Sequence, residues 1–511
     1  MTSLRSAFAE SGKRRGKKLV VCCDGTWMNA DNGYVKDNPW WPWSSGHLQV
    51  PSNVTRIARS ILPYHKDGRN QIVYYQAGVG TGMFAMDKIL GGATGEGLSE
   101  NIREAYAFVA HNYQEANEKN EGDEIFLIGF SRGAFTARSI AGLIECIGVL
   151  TKLGMGHFYE IFKDYEKSGD HNWAVEYQKR SLDRPFANRP NIRDPAYGKG
   201  LEERHLSRVT GVKVKAIAVW DTVGSLGIPR ISWLDCLFFA SALNREYSFH
   251  NTKLSNSIEH AFQALALDEM RPPFAPAVWE KPDNVNTELV QVWFPGVHCN
   301  VGGGNDDQEL ADITLAWMMS KLEPFLSFNT TYLELQYKST KDYEMKQYRQ
   351  ERSWGLGFIQ NSSTGLMRIS GKSVRTPGRY CLANRKAGLT TTPLENTNEY
   401  IHASVRVRLG LKGAKGIDDK GRYKCEALDG WILEGVDIDG DGVIDGSSAG
   451  NLGQTEISWR HKDPDVPRLK EEVLGDLEKE LLFHFDDMAT KVMKIIPTDR
   501  VRKRGDSDDD E

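Results

Sequence analysis

Apolar and polar positions along the chain fall into two periods. Continuous apolar runs bounded by turn residues occur at Lys18–Cys23, Gln71–Gln76, 125–129, 212–220 and 288–294. Their length and uniform hydrophobicity predict strands buried on both faces. Between them lie segments of helical spacing. Residues 97–118 place Ile102, Ala105, Tyr106 and Val109 on one face, and Ala134–Ile147, Ser255–Leu267 and Leu310–Leu322 follow the same rule. Strands alternating with helices predict a parallel, doubly wound α/β sheet with helices on both faces. Residues 150–211, polar and carrying Pro185, Pro190 and Pro195, read as an insertion into a domain spanning 17–325. Beyond 325 the rhythm fades, so 326–495 is expected as an extension packed on the core, with one strong helix at Lys470–Met493. Residues 1–16 and 496–511 read as charged, flexible ends.

Composition narrows the classes. The 511 residues are 40% hydrophobic, enough for a sizeable core, and carry a net charge of −5, so no global basic field favours nucleic acid. Seven cysteines without metal-ligand spacing suit a reducing compartment better than a disulfide scaffold. Met1–Gly16 has no apolar signal region, and no run reaches the roughly 18 apolar residues of a spanning helix. A cytoplasmic location is therefore expected. The cluster Lys13 to Lys18 reads as a solvated tail, a nuclear signal or a contact for anionic membranes.

The candidate chemistry begins where the third apolar run ends in Gly129-Phe130-Ser131-Arg132-Gly133 and a helix follows at once. That setting lets Gly-x-Ser-x-Gly form a nucleophile elbow: a sharp turn that small neighbours at Gly129 and Gly133 make room for. The turn aims the helix N-terminus at any oxyanion formed at the serine, with the Arg132 amide as one donor. A serine needs a base and an acid to orient it. The fourth run ends at Asp221 and the fifth leads into Gly296-Val297-His298, both just past predicted strand ends. The order Ser131, Asp221, His298 is that of α/β hydrolases. The bland readings are a glycine-rich turn, a structural Asp and a loop His.

Several blocks together resemble a known family. They are Cys23 to Trp27, Tyr74 to Thr81, Gly129 to Arg138, Val219 to Gly227, Ala264 to Phe274 and Trp293 to Gly304, in order over about residues 17–320. The chain resembles the α/β-hydrolase domain family that includes phospholipase effectors of type VI secretion. The resemblance implies Ser131 as nucleophile, Asp221 as orienting acid and His298 as base, acting on lipid or other esters, with phospholipids the best-known substrates among the effectors; chemistry of this kind needs no metal or organic cofactor. Two positions depart from the family pattern: an acidic residue is expected where Asn300 stands, and often where Gln76 stands.

Other segments carry paired readings. Asp24-Gly25-Thr26 lacks a phosphatase nucleophile, because Cys22 stands two residues before a turn that would need a carboxylate there. Gly25 or Thr26 could instead supply a second oxyanion amide, or form a structural turn. The apolar stretch 231–240, with Trp233 and Phe238, reads as a lid or acyl-chain wall, or as a core helix. Trp40 and Trp41 suit a membrane interface, a pocket wall or a core. Asp437, Asp439, Asp441 and Asp445 match the first nine positions of an EF-hand loop, but Ser448 stands where a bidentate Glu is expected. The choice is a weak structural calcium site or an acidic turn. The reading is a serine esterase or lipase with a lipid-ester substrate and possible peripheral membrane contact. Its rivals are a binding or scaffold protein with a hydrolase shell, and an acyltransferase.

Overall fold

The computed structural model describes residues 14–25, 34–36, 46–48, 50–78, 96–168, 191–208, 211–223, 253–349, 351–360, 371–384, 388–410, 423–434 and 457–485. Thr26, Trp40, Trp41, Trp233, Phe238 and the acidic loop 437–445 lie outside these residues.

A ten-stranded sheet organises the chain. The first four predicted runs form β1 (Lys18–Cys23), β2 (Gln71–Gln76), β3 (Glu124–Phe130) and β4 (Val214–Trp220). β5 (Ile258–Ala266) and β6 (Glu288–Phe294) follow. β7 (Glu399–His402), β8 (Trp431–Glu434), β9 (Ser458–His461) and β10 (Leu469–Glu472) complete it. The order is β8-β9-β10-β7-β6-β5-β4-β3-β1-β2. Every pairing is parallel except those of β9 with β8 and β10.

The helices are α1 (Asn53–Ser60), α2 (Glu96–Asn112), α3 (Arg132–Ile147), α4 (Phe158–Lys167) and α5 (Pro195–Glu203). Then come α6 (His298–Gly302), α7 (Glu309–Leu322), α8 (Thr330–Tyr348), α9 (Ala403–Gly410) and α10 (Asp476–Phe485). The two faces of the sheet bury separate clusters. Leu19, Val21, Ile125, Leu127, Ile217 and Val219 pack under α2 and α3. Val20, Phe126, Ile128, Ala218, Val292 and Phe294 pack under α1 and α7. Alternate residues of one strand thus serve opposite faces, and each large buried side chain contributes about 1.5–3 kcal/mol.

Two expectations are corrected. Residues 258–266 form a central strand rather than a helix. Ile258, Ala261, Phe262 and Leu265 fit helical spacing, yet a strand buried on both faces needs no alternation, so period alone misassigns it. Lys470 belongs to strand β10, and the helix that follows starts at Asp476. The segment beyond 325 also contributes more than a packed extension. It supplies β7 to β10 of the same sheet and the 19-residue α8. The 150–211 segment is less irregular than expected: α4 and α5 lay Phe158, Ile161, Phe162 and Leu201 on the α2–α3 face. Among the described residues, no helix is long and apolar enough to cross a membrane.

Candidate active site

The register brings the strand ends together. Cys23 pairs with Gly129, Phe130 with Trp220, Trp220 with Ala264, and Ala266 with Phe294. Asp24, Ser131, Asp221, Glu269 and His298 therefore follow their strands at one edge of the sheet, where open α/β sheets form sites.

Ser131 turns between β3 and α3 with φ 57° and ψ −121°. Its N–H donates to Trp220 O at 3.1 Å, which ties the turn to the neighbouring strand. The turn is this sharp because two flanking residues have no side chain. A Cβ on Gly133 would lie 2.1 Å from Cys23 O, and one on Gly129 would lie 2.6 Å from Gly133 O. Ser131 caps α3 without a side-chain capping bond, so its hydroxyl is not consumed by the helix it starts. The first amides of α3, beginning at Arg132, have no intrahelical acceptor and point toward the serine edge.

Gly25 packs close to this turn: a Cβ there would lie 2.9 Å from the Phe130 ring and 3.4 Å from Ser131 Cβ. Its N–H, however, donates to Asp24 Oδ1 at 2.7 Å. Of the two readings for Gly25, oxyanion amide or structural turn, this bond favours the turn. Asp24 Oδ2 accepts from Ser52, Thr55 and Tyr75 at 2.6, 2.9 and 2.6 Å. Burial pushes the Asp24 carboxyl up, while these hydrogen bonds pull it back. It acts as a hub joining β1, β2 and α1.

Asp221 is fully buried with φ 39°. Its Oδ2 receives His298 Nδ1 at 2.6 Å. The remaining lone pairs are filled by Ala266 N at 3.1 Å and by both terminal nitrogens of Arg375, at 2.5 and 3.0 Å. Arg375 also donates to Phe274 O at 2.7 Å. Burial alone would raise the Asp221 carboxyl, but the Arg375 guanidinium and the bond from His298 more than offset it. The carboxyl is held well below the usual range.

His298 opens α6, where β6 has just ended, rather than lying in an irregular loop. Its ring packs between Phe130, 4.7 Å between centroids, and the edge of Phe274 at 4.9 Å. Its backbone N–H donates to Glu269 Oε2 at 3.3 Å. Glu269 in turn holds Arg271, whose guanidinium lies 3.6 Å over the Phe274 ring. With Nδ1 engaged by Asp221, Nε2 is left buried and without a hydrogen-bond partner among the described residues. A buried, unbonded ring nitrogen is costly unless it is used. The site can therefore accept a proton from a group placed beside it.

The departures at Asn300 and Gln76 have structural explanations. Asn300 Oδ1 accepts from Val297 N at 3.1 Å, and its Nδ2 donates to Phe358 O at 2.9 Å. An acid could not make the second bond. Gln76 donates to Glu104 at 3.1 Å, a contact an acid would turn into a like-charge pair. Sequence reasoning missed Arg375 and Glu269. Neither has a local motif, and only the fold brings Arg375 to a residue 154 positions earlier.

The model of T6SS phospholipase effector Tle1-like catalytic domains matches residues 17–321. An uncharacterized protein, YEL023C of Saccharomyces cerevisiae, is 28% identical over 287 residues, covering 53% of this chain and 34% of the yeast protein. The chain thus spans about a third of that relative's length. Two solved structures are more distantly similar. One is the Tle1 effector bound to the VgrG spike of the Type 6 secretion system, 17% identical over 58% of this chain and 53% of that one, TM-score 0.30. The other is an uncharacterized protein from Pseudomonas aeruginosa, 16% identical over 63% of this chain and 47% of that one, TM-score 0.34. By the match over residues 17–321, the chain belongs to the family of T6SS phospholipase effector Tle1-like catalytic domains.

Proposed function

We propose that this protein is a serine hydrolase of lipid esters, acting through Ser131, His298 and Asp221. The observation that carries the reading is the Asp221–His298 pair: Nδ1 bound at 2.6 Å, Nε2 buried and unbonded, at the strand edge that bears the Ser131 turn. In this mechanism Nε2 takes the Ser131 proton as Oγ attacks the acyl carbonyl. The carbonyl oxygen becomes an oxyanion that the Arg132 amide stabilises. The imidazolium returns the proton to the departing alkoxide, leaving an acyl-serine. Water, deprotonated by His298, then releases the fatty acid and restores the hydroxyl. Asp221 fixes the imidazole tautomer and stabilises its charged form. Arg375 and Ala266 N hold Asp221 in place and keep it ionised, so it orients the ring without taking its proton.

The family supports a lipid ester as the substrate class. Incubating the purified protein with short-chain diacylglycerol, phosphatidylglycerol and phosphatidylcholine, with product analysis by mass spectrometry, tests the reading. Release of free fatty acid that Ser131→Ala abolishes supports it. Intact substrates across the set, with folded protein and detergent or vesicles present, would refute it.

A further inference from the structure

The short helix α6 carries His298, and five residues are too few to fix their own direction. Its two ends are held differently. At the far end Val301 O accepts from Asn53 Nδ2 at 3.1 Å and from Thr314 Oγ1 at 2.6 Å. The first turn, which presents the base, depends on Glu269 and Asn300. Asn300 bonds Val297 N with its oxygen and donates its nitrogen to Phe358 O at 2.9 Å. Phe358 lies in an irregular segment, 351–360, past residue 321, where the family match stops.

A segment without a helix or ladder must find other partners for its backbone polar groups. Here the partners are charged side chains. Glu309, at the start of α7, accepts from Gly355 N at 2.6 Å and from Gly357 N at 2.7 Å, one bond to each oxygen. Asp307 accepts from Phe358 N at 3.2 Å, and Glu344 of α8 from Arg352 N at 2.9 Å. From the other side, one nitrogen of Arg408 in α9 donates to Gly355 O and Gly357 O at 2.7 and 2.9 Å. Trp354 and Leu356 are buried in two separate apolar clusters.

Glu309 is 1% exposed, and burial pushes its carboxyl up to about 8. Replacing buried ionic groups by apolar ones is often neutral or stabilising, so stability alone does not account for this cluster. Geometry does. Gly355 sits at φ 82°, and a Cβ on Gly357 would lie 2.6 Å from Glu309 Oε2. The backbone is therefore seated on this carboxyl as closely as glycine permits.

We infer that Glu309 is a positioning residue for His298: it seats segment 351–358, whose Phe358 carbonyl, through Asn300, sets the turn that carries the base. The inference rests on the triad reading and adds to it a support from beyond the matched region.

The test is a double-substitution cycle with Glu309→Gln and Asn300→Asp, read as kcat and KM on p-nitrophenyl butyrate. Each single substitution should lower kcat about tenfold to a hundredfold with KM little changed, because a misplaced base loses catalysis rather than binding. The double should fall no further than the larger single, since both cut one path. Additive losses, or a kcat that neither substitution moves, overturn the inference. Hydrogen exchange read by mass spectrometry supplies a second readout. Residues 296–303 should exchange faster in Glu309→Gln while β6 stays protected. Unchanged protection at 296–303, or loosening that spreads through β6, overturns the positioning role. Should Glu309→Gln fail to fold, Gly355→Ala takes its place under the same criteria, because it strains the seated turn without removing a buried charge. Exchange needs no turnover, so it judges the support of α6 even if neither wild type nor variants cleave the ester, a failure that would count against the hydrolase reading alone.

Discussion

Ser131 and Asp221 make an instructive pair. They end neighbouring strands, β3 and β4, whose last residues Phe130 and Trp220 are in register. Both are non-glycine residues at positive φ, 57° and 39°. Such conformations cost about 1–3 kcal/mol each and persist only where the surroundings over-determine them. The surroundings differ. Ser131 is shaped mainly by its immediate neighbours: Gly129 and Gly133 make space, α3 starts one residue later, and one backbone bond reaches Trp220 O. Asp221 is held from far away: by Ala266 N, by His298 and by Arg375, which are 45, 77 and 154 positions along the chain. The turn geometry is thus written in adjacent residues and then fitted against β1 and β4, whereas the charge state of the acid rests wholly on distant parts of the assembled fold.

The largest expected effects sharpen that contrast at the reacting groups. Ser131→Ala should reduce kcat by several orders of magnitude, up to about 10⁶, with little change in thermal unfolding. Asp221→Asn should cost about 10⁴ in kcat by releasing the imidazole tautomer. Circular dichroism beside turnover separates both from unfolding.

The next effect breaks the local support. Gly133→Ala puts a methyl group against the Cys23 and Asp24 carbonyl oxygens, backbone atoms of β1 and the turn after it. It should destabilise the fold by about 4 kcal/mol or more, read from denaturant midpoints. A stable, active Gly133→Ala would mean that the elbow is not as tight as described.

Arg375→Gln breaks the remote support. Removing one partner of a buried pair costs about 3–5 kcal/mol. The pH dependence has a definite sign. The folded Asp221 carboxyl lies below its unfolded value of about 3.9, so its contribution is present above that value and lost as pH falls through the folded one. Without Arg375 the folded value rises, and acid unfolding should begin at higher pH. Arg375→Lys should not restore the pattern, because one ammonium cannot span both carboxylate oxygens. An unmoved profile would separate Arg375 from the site.

The smallest effect concerns the departure at Asn300. Asn300→Asp removes the bond to Phe358 O and sets a charge against that carbonyl, for a loss of about 1–3 kcal/mol. A gain in activity would instead revive a role for the missing acid.

What could be read from the sequence follows the same division. The strands β1, β2, β3, β4 and β6, the sharp turn at Ser131, and the places of Asp221 and His298 just past strand ends were legible, because each is written in a short run followed by a turn. β5 was not, since Ile258, Ala261, Phe262 and Leu265 satisfy helical spacing while the chain is buried on both faces. The strands β7 to β10 are four residues each, too short for a period to show. Arg375 was invisible for another reason: a basic residue in an irregular segment has no pattern, and only the closed fold sets it on Asp221.

The central claim, that Ser131 is an activated nucleophile, is tested most directly by labelling with a fluorophosphonate probe, wild type beside Ser131→Ala, with the adduct located by peptide mass spectrometry. The account predicts a stoichiometric adduct on Ser131 that the substitution abolishes. Folded wild type left unlabelled, with and without lipid vesicles, would contradict it, as would an adduct on another residue that survives in Ser131→Ala.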